Sequence, residues 1–154
     1  MVHPYYEYCN VIWAAHGSKH LDKLIRSQKK ILRIVHKLKW NSHTKQIFID
    51  MNLLNVAHIN TLQTALVMYK ATKGLLPPQL NNLFTVNSKI HSHFTRRCNN
   101  VHVVRHRTKV REHSIRIRGT NLWNSISIEL RNAPALSIFK RKFKSFIVNQ
   151  SCNV

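Results

Sequence analysis

The sequence predicts a mainly α-helical fold, a basic bundle of about four to six helices with a short β-hairpin in its C-terminal half. Two long segments place apolar residues at spacings of three, four and seven, the period of a helix with one buried face. A hydrophobic content of 44% is enough to build a core. A short segment in the second half alternates apolar and basic residues, which is typical of a strand.

The chain opens on an apolar and aromatic segment. We expect Gly17 to end it as a helix C-cap, because glycine adopts the left-handed conformation needed there without a Cβ clash. The segment contains Tyr5, Tyr6, Tyr8, Cys9, Val11, Ile12, Trp13, Ala14 and Ala15.

Ser18 is a favourable N-cap for the clearest helix, predicted from about Lys19 to Leu38. Its apolar stripe comprises Leu21, Leu24, Ile25, Ile31, Leu32, Val35 and Leu38. The rest of its circumference carries Lys23, Arg26, Lys29, Lys30, Arg33 and Lys37. A merely solvated face usually mixes both signs, and this one has the single acid Asp22, so we expect it to contact a phosphate backbone. Trp40 follows the helix and is the best candidate for stacking on a base.

Ser42 is predicted to cap a short helix that reaches Met51. A second long helix is predicted from about Val56 to Lys73, ended by Gly74 and by Pro77-Pro78, which cannot continue it. Its predicted core face comprises Ile59, Leu62, Leu66, Val67 and Tyr69.

From Thr85 to Arg111 the helical period is lost and polar residues dominate. Val101-His102-Val103-Val104 is interpreted as one strand and Ser114–Arg118 as its partner. A short helix around Leu122 and Trp123 and a last helix from about Leu136 to Val148 follow. We therefore divide the chain into segments 1–84, 85–112 and 113–154.

The basic residues of the C-terminal half form two further candidate contacts for phosphate. Strand alternation would place Arg116 and Arg118 on one sheet face, where guanidinium groups suit bidentate phosphate contacts. The first group comprises Arg96, Arg97, Arg105, Arg107, Lys109, Arg111, Arg116 and Arg118. The second, on the last helix, comprises Lys140, Arg141, Lys142 and Lys144.

The overall charge points to the same class of partner. Twenty-five Lys and Arg stand against five Asp and Glu, a formal charge of +20 on 154 residues. Like charges in a compact fold repel, and a polyanion that neutralises them is the simplest explanation. Nucleic acid is the commonest such polyanion, so we expect RNA or DNA as partner, bound through the phosphate backbone.

A cluster of His and Cys invites a metal interpretation. It comprises His91, His93, Cys98, His102 and His106. A zinc site could draw on Cys98 with two or three His. The usual knuckle needs several Cys, and the flanking Arg96, Arg97, Arg105 and Arg107 would repel a cation. We therefore expect solvated or RNA-facing His, with no metal and no cofactor.

Other classes of protein are not favoured. No run of about 18 apolar residues and no signal peptide are found, so we expect no membrane partner. The three Cys are odd in number and widely spaced, which favours a reducing compartment and an intracellular location, nucleus or cytoplasm. Three Gly residues leave no phosphate-cradling Gly-rich loop, and no small-molecule substrate is expected.

Several ordered segments resemble the C-terminal part, thumb and beyond, of a non-LTR, LINE-type, jockey-like retrotransposon reverse transcriptase. They are Tyr8-Cys9-Asn10-Val11-Ile12-Trp13, Gln28-Lys29-Lys30 with Arg33-Ile34, His43-Thr44, Met68-Tyr69-Lys70, Leu76-Pro77, Thr95-Arg96, Arg107-Thr108, Arg118-Gly119, Leu122-Trp123-Asn124-Ser125, and the Phe139/Lys140/Lys142/Phe143/Phe146 pattern. One departure is Ser127, where the family usually has Pro.

The resemblance implies an RNA-directed DNA polymerase whose catalytic domain lies upstream. Segment 1–84 would be thumb-like, truncated at its N-terminus, and the rest of a reverse transcriptase would be a further partner. The family's two adjacent Asp, which hold Mg²⁺, have no counterpart, since the only Asp residues are Asp22 and Asp50. We therefore expect no enzymatic activity from this chain alone. The alternative is a non-functional, partly folded remnant that binds polyanions without specificity.

Overall fold

The computed structural model describes residues 3–14, 18–93 and 95–152, and it confirms the mainly α prediction. The described residues form ten α-helical segments, more than the four to six predicted. They are α1 (His3–Glu7), α2 (Asn10–Trp13), α3 (Ser18–Val35), α4 (Lys45–Asp50), α5 (Val56–Thr72), α6 (Pro78–Asn81), α7 (Lys109–Glu112), α8 (Thr120–Ser125), α9 (Ile128–Arg131) and α10 (Leu136–Cys152). Among the described helices only α3, α5 and α10 exceed six residues, and they correspond to the two long helices and the last helix predicted from the sequence.

Helix α5 is the centre of the fold. It contacts α1, α2, α3, α8 and α10. Most of the circumference of α5 is therefore packed against other helices, and its buried residues are not confined to one stripe. Its buried residues are Val56, Ile59, Asn60, Leu62, Thr64, Ala65, Leu66, Met68 and Tyr69. The predicted stop is confirmed: Gly74 has φ +68°, and the Leu75 N–H donates to the Lys70 carbonyl at 2.8 Å.

An aromatic cluster joins α10 and α8 to α5. The ring of Phe139 stacks on Tyr69 at 4.9 Å and on Phe143 at 5.5 Å, while Trp123 meets Tyr69 edge-on at 6.4 Å. The buried Tyr69 hydroxyl donates to the Ala133 carbonyl at 2.7 Å, which satisfies the polar end of the ring. Phe139 and Phe143 of α10 therefore belong to the core, while Phe146 is 42% exposed.

Helix α3 lies on α5 through a narrower contact. Leu32 is buried, and Leu21, Leu24 and Ile25 are partly buried. The buried Gln28 donates from Nε2 to the Leu54 carbonyl at 2.9 Å and accepts from the Val56 N–H at 3.2 Å. An amide side chain thus satisfies the backbone that leads into α5.

The predicted stripe of α3 is only half buried. Val35 is 66% exposed, and Ile31 and Leu38 are 39% exposed, so these three form a solvent-facing flank. The helix ends at Val35 and not at Leu38, because Lys37 adopts φ 52° and the Leu38 N–H turns back to the Arg33 carbonyl at 2.9 Å.

The predicted β-hairpin is wrong, because the described residues contain no β-strand. Residues Ile115–Gly119 form a π-helical turn that runs into α8. Gly119 permits this path, since a Cβ there would stand 2.9 Å from the Met68 sulfur. Val101 makes a single antiparallel bridge with Val86, and its N–H and carbonyl are satisfied by the Asn124 side chain at 3.1 and 2.9 Å. No backbone groups of Val101 remain for a strand at 114–118.

The opening apolar segment is two short helices, α1 and α2, separated at Tyr8 and Cys9, where Cys9 has φ 46°. Asn10 is buried in this segment, and its side-chain oxygen accepts from Asn60 Nδ2 of α5 at 2.7 Å. The C-cap predicted at Gly17 lies outside the described residues.

Candidate nucleic-acid interface

A cleft of about 760 Å³ opens between α3, the segment around α4, the start of α5 and the end of α10. Its apolar lining residues, called its floor below, are Phe48, Ile49, Leu53, Leu54, Ile147 and Val148. Its basic lining residues, called its walls below, are Lys29, Arg33, His43, Lys45 and His58. Among the described residues that line the cleft there is no Asp or Glu, so it combines one sign of charge with an apolar surface.

Helix α3 supplies the first wall. Lys29 and Arg33 are four residues apart, which places both side chains on one face, one turn above the other. The Arg33 Nε–H donates to the Ser42 carbonyl at 2.9 Å, which fixes the guanidinium beside the α3–α4 connection. That bond uses one of its five N–H donors, so the group can still receive an anion.

Helix α5 supplies His58 to the same cleft. The Asn55 side chain caps this helix by accepting from the His58 N–H at 2.8 Å, so the imidazole is carried by a rigid first turn. Burial lowers the pKa of His58 below its ordinary value, because the charged imidazolium loses solvation. At neutral pH His58 is therefore an uncharged hydrogen-bonding group, and the positive charge comes from Lys29, Arg33 and Lys45.

The remaining predicted contacts of α3 lie in solvent. Lys23, Arg26, Lys30 and Lys37 are exposed, and Trp40 is 88% exposed, so its ring is accessible for stacking. The basic residues and the exposed Ile31 and Val35 occupy different flanks of the helix, as the 3.6-residue period requires.

Arg118 is not at the surface contact predicted for it, because its guanidinium binds the protein itself. Its side chain is half-buried and donates to Asn60 Oδ1, and at 3.3 Å to both the Val11 carbonyl and Thr64 Oγ1. Burial lowers the pKa of Arg118, and its buried Nε has no hydrogen-bond partner. The residue ties α2 to α5 and is a structural group.

Arg116 shares no sheet face with Arg118, because both lie in the π-helical turn. Its side chain is partly buried and its Nε is enclosed without a hydrogen-bond partner. The pair of parallel guanidinium groups predicted from strand alternation is therefore absent from this turn.

The other predicted basic residues are accessible but lie outside the cleft. Arg96, Arg97, Arg105 and Arg107 are exposed on the irregular segment between α6 and α7. On α10, Lys140 and Arg141 are exposed and Lys144 is partly buried. A second groove, of about 490 Å³, includes Arg141 and Lys142 but also Glu129, so its charge is mixed.

Sequence reasoning missed the cationic group Lys45 and the two His of the cleft, His43 and His58. These residues come from three segments of the chain, and only the folded structure brings them to one cleft. The available signal was the lack of any acid between Asp22 and Asp50, a stretch that contains both Lys29 and Lys45.

In the described part of the chain, no three His, Cys, Asp or Glu side chains are close enough to hold a metal ion. In the predicted cluster, Cys98 is buried, and His102 is 3.2 Å from Asn87 Oδ1. No helix of the described residues is long and apolar enough to cross a membrane. Trp123 is a core residue, while Trp13 is 38% exposed and donates from its indole to the Tyr8 carbonyl.

Comparison of the chain with protein-family models, with curated proteins and with solved structures gives no match.

Proposed function

We propose that this chain binds RNA or DNA through the phosphate backbone, with the exposed basic face of α3 and the adjoining cleft as its main contact. The observation that carries the proposal is the cleft, whose described lining residues include Lys29, Arg33 and Lys45 but no Asp or Glu, on a chain of net charge +20. Cations in a lining without carboxylates favour a polyanion and release its counterions on binding.

We further propose that the chain is a C-terminal piece of a non-LTR retrotransposon reverse transcriptase, acting inside the cell and without activity of its own. The ordered segments that resemble this family support the proposal. The acidic residues support the absence of polymerase activity: Asp22 lies on α3, and Asp50 ends α4, where its carboxylate accepts from Gln46 Nε2 at 2.7 Å. Two-metal chemistry needs carboxylates that share a site.

A second candidate is a partly folded remnant that attracts any polyanion. The observation that favours it is the exposed apolar surface of α1 and α2, where Tyr5, Tyr8 and Ile12 are 79%, 77% and 73% exposed. Such a patch is typical of a surface whose partner is missing. The buried aromatic cluster on α5 opposes this candidate, because it is typical of a cooperative core.

The test is fluorescence anisotropy with a labelled RNA hairpin, a DNA duplex and an RNA–DNA heteroduplex, on protein whose folding is first shown by circular dichroism and a cooperative thermal melt. We expect submicromolar binding that persists near 150 mM salt and prefers one nucleic-acid form. Contacts with about 6–10 phosphates would reduce affinity roughly 10³-fold or more between 50 and 200 mM salt. Binding that vanishes by 150 mM and ignores the form would favour the remnant, and a chain with no melting transition would establish it.

A further inference from the structure

We propose that the cleft holds a single unpaired nucleotide, with the base on the apolar floor and its phosphate between Lys29, Arg33 and Lys45. This inference rests on the proposed function and specifies its substrate class as single-stranded nucleic acid, or a single-stranded end beside a duplex.

The shape of the cleft favours one nucleotide over a duplex. Its volume of about 760 Å³ falls within the range of about 300–1,000 Å³ that small-molecule sites occupy. A duplex hides the flat faces of its bases in the stack and offers only their edges in the grooves. A duplex can therefore contact the cationic rim of this cleft, but only an unpaired base can enter it.

The floor matches the flat face of a base. Phe48, Ile49 and Leu54 line the cleft, and Phe48 contributes an aromatic residue that is partly buried. Bases stack on such rings with little regard to sequence, because every base has a π-face. A site made only for phosphate would not need apolar lining residues in addition to its cations.

The walls match the remainder of a nucleotide. Lys29 and Arg33 lie on α3 and Lys45 begins α4, so the cations that line the cleft and could meet a phosphate come from two elements. The amides of Asn41 and Gln150 line the same cleft and offer both donors and acceptors.

A substitution that fills the cleft with a larger side chain tests whether the base binds there. Thr61 lines the cleft on α5, and its hydroxyl donates to the Ala57 carbonyl one turn back at 3.2 Å. Thr61→Phe should occupy the space intended for the base. The matched control is Thr72→Phe on the same helix, since the Thr72 hydroxyl makes the same kind of bond, to the Met68 carbonyl at 3.1 Å, and lies outside the cleft.

The probes are a labelled ten-nucleotide oligo(U) and a labelled twenty-base-pair DNA duplex, measured by anisotropy at fixed salt. We expect Thr61→Phe to weaken oligo(U) binding by about tenfold, the effect of one lost stacking contact, with duplex affinity unchanged within about twofold. Thr72→Phe should change neither. Equal loss on both probes, or no loss on oligo(U), would overturn the inference and leave the proposed function intact. Wild-type protein that binds neither probe would overturn both.

A second measurement does not depend on the variant folding. Oligo(U) that contains one 4-thiouridine is crosslinked to wild-type protein by light, and the adducts are mapped by mass spectrometry. We expect adducts on the peptides that contain Phe48 and His58. Adducts confined to the peptide of the exposed Trp40, or to α10, would place the base elsewhere and overturn the inference.

Discussion

Helices α3 and α10 have similar lengths, both are basic, and both pack on α5, yet they are held by different means. Helix α10 docks with stacked rings: Phe139 is 0% exposed and Phe143 is 1% exposed. Helix α3 docks with Leu32 and with the amide of Gln28, and much of its remaining surface stays in solvent. The aromatic contact buries more apolar surface, so we assign stability mainly to α10 and binding mainly to α3.

This division has a physical reason. A helix that buries a wide aromatic face leaves less circumference for charge, and the groove lined by Arg141 of α10 is also lined by Glu129. Helix α3 buries a narrow face, and two of its cations, Lys29 and Arg33, line a cleft whose described lining residues include no Asp or Glu. The two functions should therefore be separable by mutation, and the predictions below test that separation, from the largest expected effect to the smallest.

The largest effect should come from the aromatic core. Phe139→Ala removes the ring that stacks between Tyr69 and Phe143, and we expect it to reduce the free energy of unfolding by about 3–5 kcal/mol. Urea denaturation measures this loss. The matched control is Phe146→Ala on the same helix, whose ring is 42% exposed and should cost much less. A loss at Phe139 no larger than at Phe146 would contradict the assignment of stability to this cluster.

A smaller loss should follow removal of the buried arginine. Arg118→Met leaves Asn60 Oδ1 and the Val11 carbonyl without their donor, and we expect a loss of about 1–3 kcal/mol in the free energy of unfolding. The salt dependence of nucleic-acid binding should stay as in wild type, because the guanidinium faces the protein. Arg118→Lys, which lacks the planar fork, should restore only part of the stability. A flatter salt dependence of binding in Arg118→Met would mean that Arg118 contacts nucleic acid, and would contradict its structural role.

The next effect should be local to α3. Gln28→Leu removes both bonds to the backbone between α4 and α5, at the Leu54 carbonyl and the Val56 N–H. We expect a global loss of about 1–2 kcal/mol and faster amide hydrogen exchange in α3, with α10 protected as before. Gln28→Glu keeps the acceptor for the Val56 N–H, but at neutral pH its buried carboxylate cannot donate to the Leu54 carbonyl, so it should be no milder than Gln28→Leu. Equal loss of protection in α3 and α10 would mean that the two helices unfold as one unit.

The smallest effect should be a pH dependence at His58. Because burial lowers its pKa in the folded chain, the unfolded chain takes up the proton first on acidification. The stability that the neutral His58 contributes is therefore fully present at neutral pH. It is lost as the pH falls through about 6.5 toward the pKa of His58 in the folded chain. Thermal melts between pH 7.5 and 5 should therefore fall less steeply in His58→Gln than in wild type, while His93→Gln, at an exposed site, serves as control. Parallel curves for wild type and His58→Gln would contradict this role.

Much of the fold followed from local rules. The spacing of apolar residues predicted α3, α5 and α10, and Gly74 ended α5 as expected. Gln28 was not predicted as a buried residue, since a polar residue within an apolar stripe is usually solvent-exposed, and its partners lie 26 and 28 residues away. Sequence periodicity indicates on which face of its own helix a side chain lies. It does not indicate which backbone groups of another element that side chain will meet.

The prediction of a β-hairpin was wrong because so short a segment fits both the two-residue period of a strand and the period of a helical turn. Ile115-Arg116-Ile117-Arg118 alternates as a strand would, but Gly119 allows a close approach to Met68 that only the folded chain shows. The same error placed Arg118 at the surface, since its acceptors at Asn60 and Val11 are 58 and 107 residues away. The basic face of α3 could be predicted because it is a feature of one helix. The cleft beside it could not, because it is formed by residues from four helices and the segments between them.

The most direct test of the central claim, that α3 holds the phosphate backbone, is the salt dependence of binding after Lys29, Lys30 and Arg33 are all changed to Gln. Anisotropy with one DNA duplex across 50–200 mM salt gives the slope of log K against log salt. The magnitude of this slope falls by about 0.9 for each phosphate contact removed. We predict a slope flatter by about two to three in the triple variant, and a clearly smaller change when Lys140, Arg141 and Lys142 are changed instead. A slope equal to wild type in the α3 variant, or equal losses in the two variants, would contradict the account.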